Sequence, residues 1–477
     1  MERHDMDPII DFLNTIFWGY VLIYGLLAVG LFFTIRLGAV QIRHFLEMFR
    51  VIASSKETDK AGISPFQALT VSLASRVGTG NLAGVAVALY LGGAGAIFWM
   101  WMVALVGMAT AYAESALAQL YKTRGPMGMY RGGPAFYIAR GLGLPWLGGI
   151  FSVCLIISFG LVFNAVQANS IAEATENAFG VPKLAVGIAV ALLAGVVIFG
   201  GIRSIAKVAE IVVPFMAIAY LALAVYVIIV NFDAVPGMLR LIVSSALGFE
   251  EAGAGVVGSV TAAMLNGIKR GLFSNEAGMG SAPNIAAVAV PQPHHPSSQG
   301  FVQSLGVFID TILICTATAL MILLSGVLTP GEGPSGAELT QIALNAHIGD
   351  AGTYFIAIAI LFFAFTSIIG NYSYAEGAMV FLGLASPTGL LALRLTALAM
   401  VVWGAYQSVA TVFNAADASM GMMATINLIA IVALSGTVAK LTNDYFAQRR
   451  QGIEPMFHVK DYPEMTGKID ETIWTRE

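Results

Sequence analysis

An all-α integral membrane protein with about eleven transmembrane helices is the fold class that this sequence predicts. Three observations carry that expectation. Of 477 residues, 57% are hydrophobic and only 11% are charged, whereas a soluble chain carries about 25% charged residues. Mean hydropathy is +0.80. Apolar runs long enough to cross hydrocarbon, about 20 residues each, recur along nearly the whole chain. Half the usual charge cannot coat a soluble surface, so a soluble enzyme, a nucleic-acid binder and a disordered scaffold are excluded together. The net charge of −4 offers no field for a polyanion. The expected partner is the lipid bilayer, not nucleic acid.

The apolar runs fall at 12–35, 64–92, 95–121, 147–177, 183–201, 208–230, 253–289, 298–328, 352–383, 388–409 and 413–439. Those at 64–92 and 253–289 are long, Gly-rich and carry cations, and are candidates for interrupted helices. Orientation follows from Lys and Arg in the loops. With 36–63 on one side and the spans alternating, that side collects 18 Lys and Arg. The other side has Arg3, Lys183 and Arg240, and the remaining three lie inside spans. The N-terminus is therefore expected outside and the tail 441–477 in the cytoplasm, in a multi-pass protein of the cell inner (plasma) membrane. The opening MERHDMDPIIDF has no basic n-region or small-residue cleavage site, so no signal peptide is expected. Cys154 and Cys315 lie in apolar runs and read as small core residues. The segments 329–351 and 236–247 are expected to hold short interfacial helices, and the charged tail to be only partly ordered.

Polar groups within spans cost several kcal/mol unless satisfied, so they mark function or structural pairing. Ser72-Leu-Ala-Ser-Arg-Val-Gly-Thr-Gly-Asn81 sits in mid-span, and its Gly-x-Gly can release the helix. The half-helix before the break ends in free carbonyls suited to Na⁺ or an ammonium group. The half-helix after it begins with free N–H groups suited to a carboxylate. One break can thus hold both ends of a zwitterion. Close packing of small residues is the alternative. In Asn266–Asn284, Lys269, Arg270 and Glu276 read as an ion-pair cluster holding a second break, while Phe273 and Asn275 are the better ligand-facing candidates. In Phe363-Ala-Phe-Thr-Ser-Ile-Ile-Gly-Asn371, the Thr366 and Ser367 hydroxyls are hard oxygen ligands for Na⁺, or else bond back to their own helix. Asn371 shares the face of Ser367. Asn164 and Gln167, three apart, either line a pocket or bond between helices. Asp310 and Asp417 read as proton-relay or salt-bridge acids, and Glu114 and Glu376 as structural. His294-His295 cannot share a helix face, so no metal site is expected there. No Walker loop, nucleophile elbow or zinc-protease pattern occurs, and no enzyme is expected. Nor is there the repeated filter of a channel.

At these residues the chain resembles the alanine or glycine:cation symporter family. The resemblance is carried by Val77-Gly-Thr-Gly-Asn-Leu-Ala-Gly-Val85, Arg131-Gly-Gly-Pro-Ala135 and Lys269-Arg-Gly-Leu-Phe-Ser-Asn-Glu-Ala-Gly-Met-Gly-Ser-Ala-Pro283. It implies the amino acid–polyamine–organocation superfamily and a leucine-transporter-type fold of two inverted five-helix repeats, each beginning with a discontinuous helix. The implied organisation is an extra N-terminal helix (1–36), a cytoplasmic loop (37–62), repeat one (63–235), repeat two (236–440) and a cytoplasmic tail (441–477). The implied activity is import of small neutral amino acids by symport with Na⁺, the co-transported ion, through alternating access; an H⁺-coupled symporter using a buried acid such as Asp310 is the alternative. Laid on that fold, the carbonyls of Ala74, Val77 and Phe363 with the hydroxyls of Thr366 and Ser367 would hold Na⁺. Thr79, Gly80 and Asn81 would hold the substrate carboxylate, and Phe163, Gln167, Phe273, Asn275 and Asn371 would shape the pocket. Arg76 stands where the wider fold can place a second sodium, which argues for one site. Many family members carry Trp at position 371. Asn there implies a roomier, more polar pocket, open to serine, threonine or glutamine besides alanine.

Overall fold

The structure, a computed structural model, describes residues 7–55, 61–125, 128–249 and 256–474. Arg3, Lys56, Lys60 and Arg476, used in the charge count, lie outside the described residues. The long elements are α1 (Pro8–Arg36), α2 (Pro65–Arg76), α3 (Gly80–Gly92), α4 (Gly95–Leu120), α5 (Pro134–Gly141), α6 (Pro145–Phe179), α7 (Lys183–Phe199), α8 (Gly201–Val230), α9 (Val235–Leu247), α10 (Val256–Asn275), α11 (Pro296–Ser325), α12 (Gly336–Ile348), α13 (Asp350–Phe381), α14 (Pro387–Ala405), α15 (Val409–Ala433) and α16 (Ser435–Arg450). Eight of these, α1, α4, α6, α8, α11, α13, α14 and α15, are long and apolar enough to cross a membrane. The helices α2, α3, α7 and α10 occupy the remaining apolar runs. On α8, Ile211, Phe215 and Ile218 stand about 70% exposed, an outer face suited to lipid.

Both expected breaks occur, and the local chemistry explains them. α2 begins with a capping box: Ser64 accepts from the Gln67 N–H while Gln67 accepts from the Ser64 N–H, and Pro65 follows at the first helical position. It stops at Arg76, where Val77 leaves the helical region with ψ 88°. The chain resumes at Gly80 in a π-turn over Gly80–Gly84. The second break lies beyond Asn275. Glu276, Gly278 and Gly280 take φ of 59°, 87° and 81°, a left-handed run that ends any helix. The peptide then forms a short turn at Pro283–Ala286, and Ala289 bridges in parallel to Ile63 at the foot of α2.

The helices pack in two groups. α11 and α10 lie along α4, with α1 also against α4, while α6 packs on α13 and α14, and α7 on α14. α2 sits between them, against α8 and α13. Helices occupy both segments expected to hold short interfacial ones, as α9 and α12, and α12 is packed into the protein. It buries Leu339, Ala343 and Leu344, and its Thr340 hydroxyl donates to the Leu82 carbonyl at 3.1 Å, seating it on the start of α3.

The tail departs from its expectation. The boundary expected at 440/441 falls inside α16, and the segment after it folds onto the α4 end. Trp474 is fully buried, donates to the Leu120 carbonyl at 3.3 Å and lies under Lys122 Nζ at 5.3 Å. His294 meets the Ile473 carbonyl and His295 meets Asp444, each at 3.2 Å. Burial of these aromatic and histidine rings outweighs the segment's polar composition. Replacing Trp474 by alanine is expected to cost about 3 kcal/mol, read as a lower melting temperature in detergent. An unchanged melting temperature would mean that the tail is not docked.

Candidate functional site

The first break is the centre of a buried polar site. Gly78 and Thr79 present backbone N–H groups that no longer bond within a helix. In the structure, Gly78 N–H donates to Asn81 Oδ1 and Thr79 N–H to Gln167 Oε1, each at 2.9 Å. These are the donors expected to meet a carboxylate, here covered by side-chain carbonyl oxygens. The Thr79 hydroxyl is fully buried, and no partner for it occurs among the described residues.

On the carbonyl side, Ser367 of α13 donates to the Ala74 carbonyl at 2.8 Å and to the Phe363 carbonyl at 3.0 Å. Thr366 donates to Phe363 O at 2.9 Å. Back-bonding within α13 is therefore present, but Ser367 also reaches across to α2, so the oxygens of Ala74, Phe363, Thr366 and Ser367 gather between the two helices. All four residues are buried. Val77 stands at the end of α2, 1% exposed. Gly78 joins the two clusters: a Cβ there would run into Ser367 Oγ and come within 2.7 Å of Gln167 Oε1. Only glycine lets these oxygens close on the break.

The walls are aromatic. Phe163 stacks on Phe273 with ring centroids 4.8 Å apart, and Phe273 meets Phe413 at 5.4 Å. Gly80 lies against Phe273 and Ser274, where a Cβ would sit 3.1 Å from each. Thr79, Gly80, Gln167, Phe163 and Phe273 are thus brought together around the first break. Asn81, Asn275 and Asn371 are close by, but their amides are engaged. Asn81 Nδ2 donates to Asp310 Oδ1 at 2.7 Å. Asn275 Oδ1 accepts from the Ala277 N–H at 3.0 Å and its Nδ2 donates to Thr311 at 3.2 Å, which caps the second break. Asn371 accepts from Ser75 at 2.6 Å and donates to Asn164 at 3.1 Å.

The single Ser75 proton is shared between Asn371 Oδ1 and Glu276 Oε1, the latter at 2.7 Å, and Ser281 donates to Glu276 Oε2 at 2.5 Å. A chain of hydrogen bonds therefore runs from Asn164 through Asn371 and Ser75 to Glu276, linking both breaks to α6 and α13. Glu276 holds the break as expected, but not by pairing with Lys269 and Arg270. Those two converge on Asp417 of α15, Lys269 at 3.7 Å and Arg270 as its immediate neighbour. The geometric reason is that 269 and 270 lie in the helical part of α10, on the α15 side. Glu114 accepts from the Gly278 N–H and from Asn427, and Glu376 pairs with Arg131 at 2.9 Å, so both are structural. Arg76, 2% exposed, donates to the Gln303 carbonyl at 3.2 Å.

Sequence reasoning missed Ser274 and Thr311, which bond Asp310. It also missed the π-turns beside the site, Gly80–Gly84, Ile156–Val162 just before Phe163, and Phe308–Cys315 containing Asp310. Such turns insert a residue and re-aim side chains. Only the hydroxyls next to Asn275 and Asp310 hinted at this.

The profile described as "Sodium:alanine symporter family" matches residues 3–459. The chain is 49% identical to the amino-acid carrier protein AlsT of Bacillus subtilis (strain 168), over 96% of each chain. It is 45% identical to the probable sodium/glutamine symporter GlnT of the same organism, over 95% of this chain and 93% of that one. Among solved structures it is similar in fold to a mutant form of the Eremococcus coleocola manganese transporter, with TM-score 0.53 and 16% identity over 86% of this chain and 84% of that one.

Proposed function

The chain belongs to the sodium:alanine symporter family, and we propose that it imports small neutral amino acids, alanine first, by symport with Na⁺ through alternating access. As a family member it is a multi-pass membrane transporter, not an enzyme, and Na⁺ is its co-transported ion. The observation that carries the finer reading is the convergence at Gly78, where the N–H groups of the break and the oxygens of Ala74, Phe363, Thr366 and Ser367 meet around one residue.

In this reading Na⁺ binds between α2 and α13, taking the Ala74, Val77 and Phe363 carbonyls with the Thr366 and Ser367 hydroxyls. The hydroxyl protons now spent on Ala74 and Phe363 turn away, and their lone pairs face the ion. Because its ligands come from both helices, the ion fixes their relative position. It biases one access state only by binding that state more tightly. The substrate carboxylate displaces Gln167 from the Thr79 N–H, with the Thr79 hydroxyl and Gly80 beside it, while Asn81 keeps its Oδ1 on the Gly78 N–H and so holds the break in shape. Phe163, Phe273, Asn275 and Asn371 bound the side chain. A leucine-transporter-type arrangement suits this placement, with repeats over 63–235 and 236–440, N-terminus outside and tail inside. In its support, the two interrupted helices are the second and seventh apolar runs, the first of each repeat.

Asn371 sets specificity by leaving volume, since its amide is spent on Ser75 and Asn164. Glutamine, serine or threonine should then compete with alanine, and a relative named for glutamine at 45% identity fits that range. The test is uptake into proteoliposomes across an amino-acid panel, with a sodium gradient and with choline in its place at fixed pH. Alanine uptake lost in choline is expected, and undiminished uptake would refute sodium coupling in favour of protons. Glutamine in excess should suppress alanine uptake, and Asn371→Trp should abolish that competition. An unchanged profile would remove Asn371 from the selectivity role.

A further inference from the structure

Asp310 has no part in the scheme above, yet it touches both breaks. We propose that Asp310 is a positioning residue for substrate binding: it clasps the two interrupted helices together and sets the orientation of Asn81. This rests on the reading that the first break holds the substrate carboxylate.

The geometry is specific. Asp310 lies in the π-turn Phe308–Cys315 of α11 and is fully buried. Its Oδ1 accepts from Asn81 Nδ2 at 2.7 Å, and its backbone carbonyl accepts from the same nitrogen at 3.1 Å. Its Oδ2 accepts from Ser274 at 2.8 Å and Thr311 at 2.7 Å. Asn81 lies two residues past the N–H groups of the first break; Ser274 immediately precedes the last helical residue of α10. Thr311 in turn accepts from Asn275. One acid and its neighbour therefore hold the start of α3 to the end of α10.

The chemistry fixes a direction. An amide can donate to a carboxylate only through its nitrogen, so Asp310 forces Asn81 to turn Oδ1 toward the Gly78 N–H, which it meets at 2.9 Å. An apolar side chain at 310 would leave only the longer contacts to the residue-310 carbonyl, at 3.1 Å, and to Cys315 Sγ, at 3.3 Å, on the Asn81 nitrogen, and so weaken the hold that keeps Oδ1 on the Gly78 N–H. No Lys or Arg lies within 4.0 Å of the Asp310 carboxylate among the described residues, so no ion pair explains it. The clasp itself is made of accepted hydrogen bonds, and buried Arg76 lies beyond ion-pair distance from it. In Asp310→Asn, the amide oxygen can face Asn81 while the N–H₂ faces Ser274 and Thr311, whose hydroxyls accept as readily as they donate.

The test measures alanine uptake and melting temperature for the full chain in proteoliposomes and detergent. Sodium-driven uptake by the unaltered protein is the control on which the transport reading itself stands or falls; the variants decide the clasp. Asp310→Asn should keep KM within about threefold, whereas Asp310→Ala should raise KM at least about tenfold with kcat little changed, the loss expected for a buried hydrogen-bonded group. Thr311→Val, which removes one donor to Asp310 and the acceptor of the Asn275 amide, should raise KM a few-fold and serves if Asp310→Ala fails to fold. Asp310→Asn as inactive as Asp310→Ala, a fall in kcat at constant KM, or an unaltered KM in Thr311→Val would each overturn the proposal. The first of these would make Asp310 a proton or cation carrier instead.

Discussion

Replacing Thr366 and Ser367 together by alanine is expected to raise the sodium concentration for half-maximal uptake at least about tenfold, on the scale of about 1 kcal/mol for each polar interaction removed. The substitution removes two oxygens from between α2 and α13 and leaves the carbonyls of Ala74 and Phe363 in place. Both side chains are fully buried, and alanine fits the helix, so folding should survive. The amino acid's own binding should weaken only as far as it depends on sodium: at saturating sodium the alanine KM should return toward its original value. Uptake measured over a sodium series decides the matter. A sodium dependence identical to that of the unaltered protein would place the ion elsewhere.

The second large effect concerns Asp417. Its carboxylate faces Arg270 and Lys269, whose side chains are only 4% and 16% exposed. Breaking a buried pair from one side leaves an uncompensated charge and costs about 3–5 kcal/mol. In Asp417→Ala two cations are stranded, so a marked fall in melting temperature is expected. The effect should reach the site as well. Arg270 lies 5.6 Å from the Phe273 ring centroid and 5.0 Å from that of Phe413, and a guanidinium that has lost its anion will shift against those rings. Asp417→Glu should recover part of the stability. A melting temperature unmoved in Asp417→Ala would show that the cations find water or another anion.

The expectation about Lys269 and Arg270 shows where sequence reasoning stops. Their rarity in lipid marked them as paired, and that is what the structure contains. Their nearest acid in sequence, Glu276, proved to serve Ser75 and Ser281 instead, because the chain turns sharply at Glu276 while 269 and 270 remain on the helix. Asn371 teaches the same lesson. Its size relative to Trp is legible from one letter, but its amide reaches Ser75, 296 residues away, so its polarity is spent before any substrate arrives. The tail differs from its expectation for a related reason: composition averages over Trp474, whereas docking depends on that one ring finding the end of α4.

Both helix breaks were written in local chemistry. Gly-x-Gly, a run of glycines in left-handed conformation and cations in mid-span each act within a turn or two of chain, and their cost in hydrocarbon is the same whatever surrounds them. Composition and local pattern alone therefore establish that the protein lives in a membrane, where its helices are interrupted and which residues had to be met by partners. The identity of those partners was settled by packing. Hydrogen bonds and ion pairs act over about 3 Å, and residues such as Asn81 and Asp310, or Ala74 and Ser367, come within that range only when helices hundreds of residues apart are packed side by side.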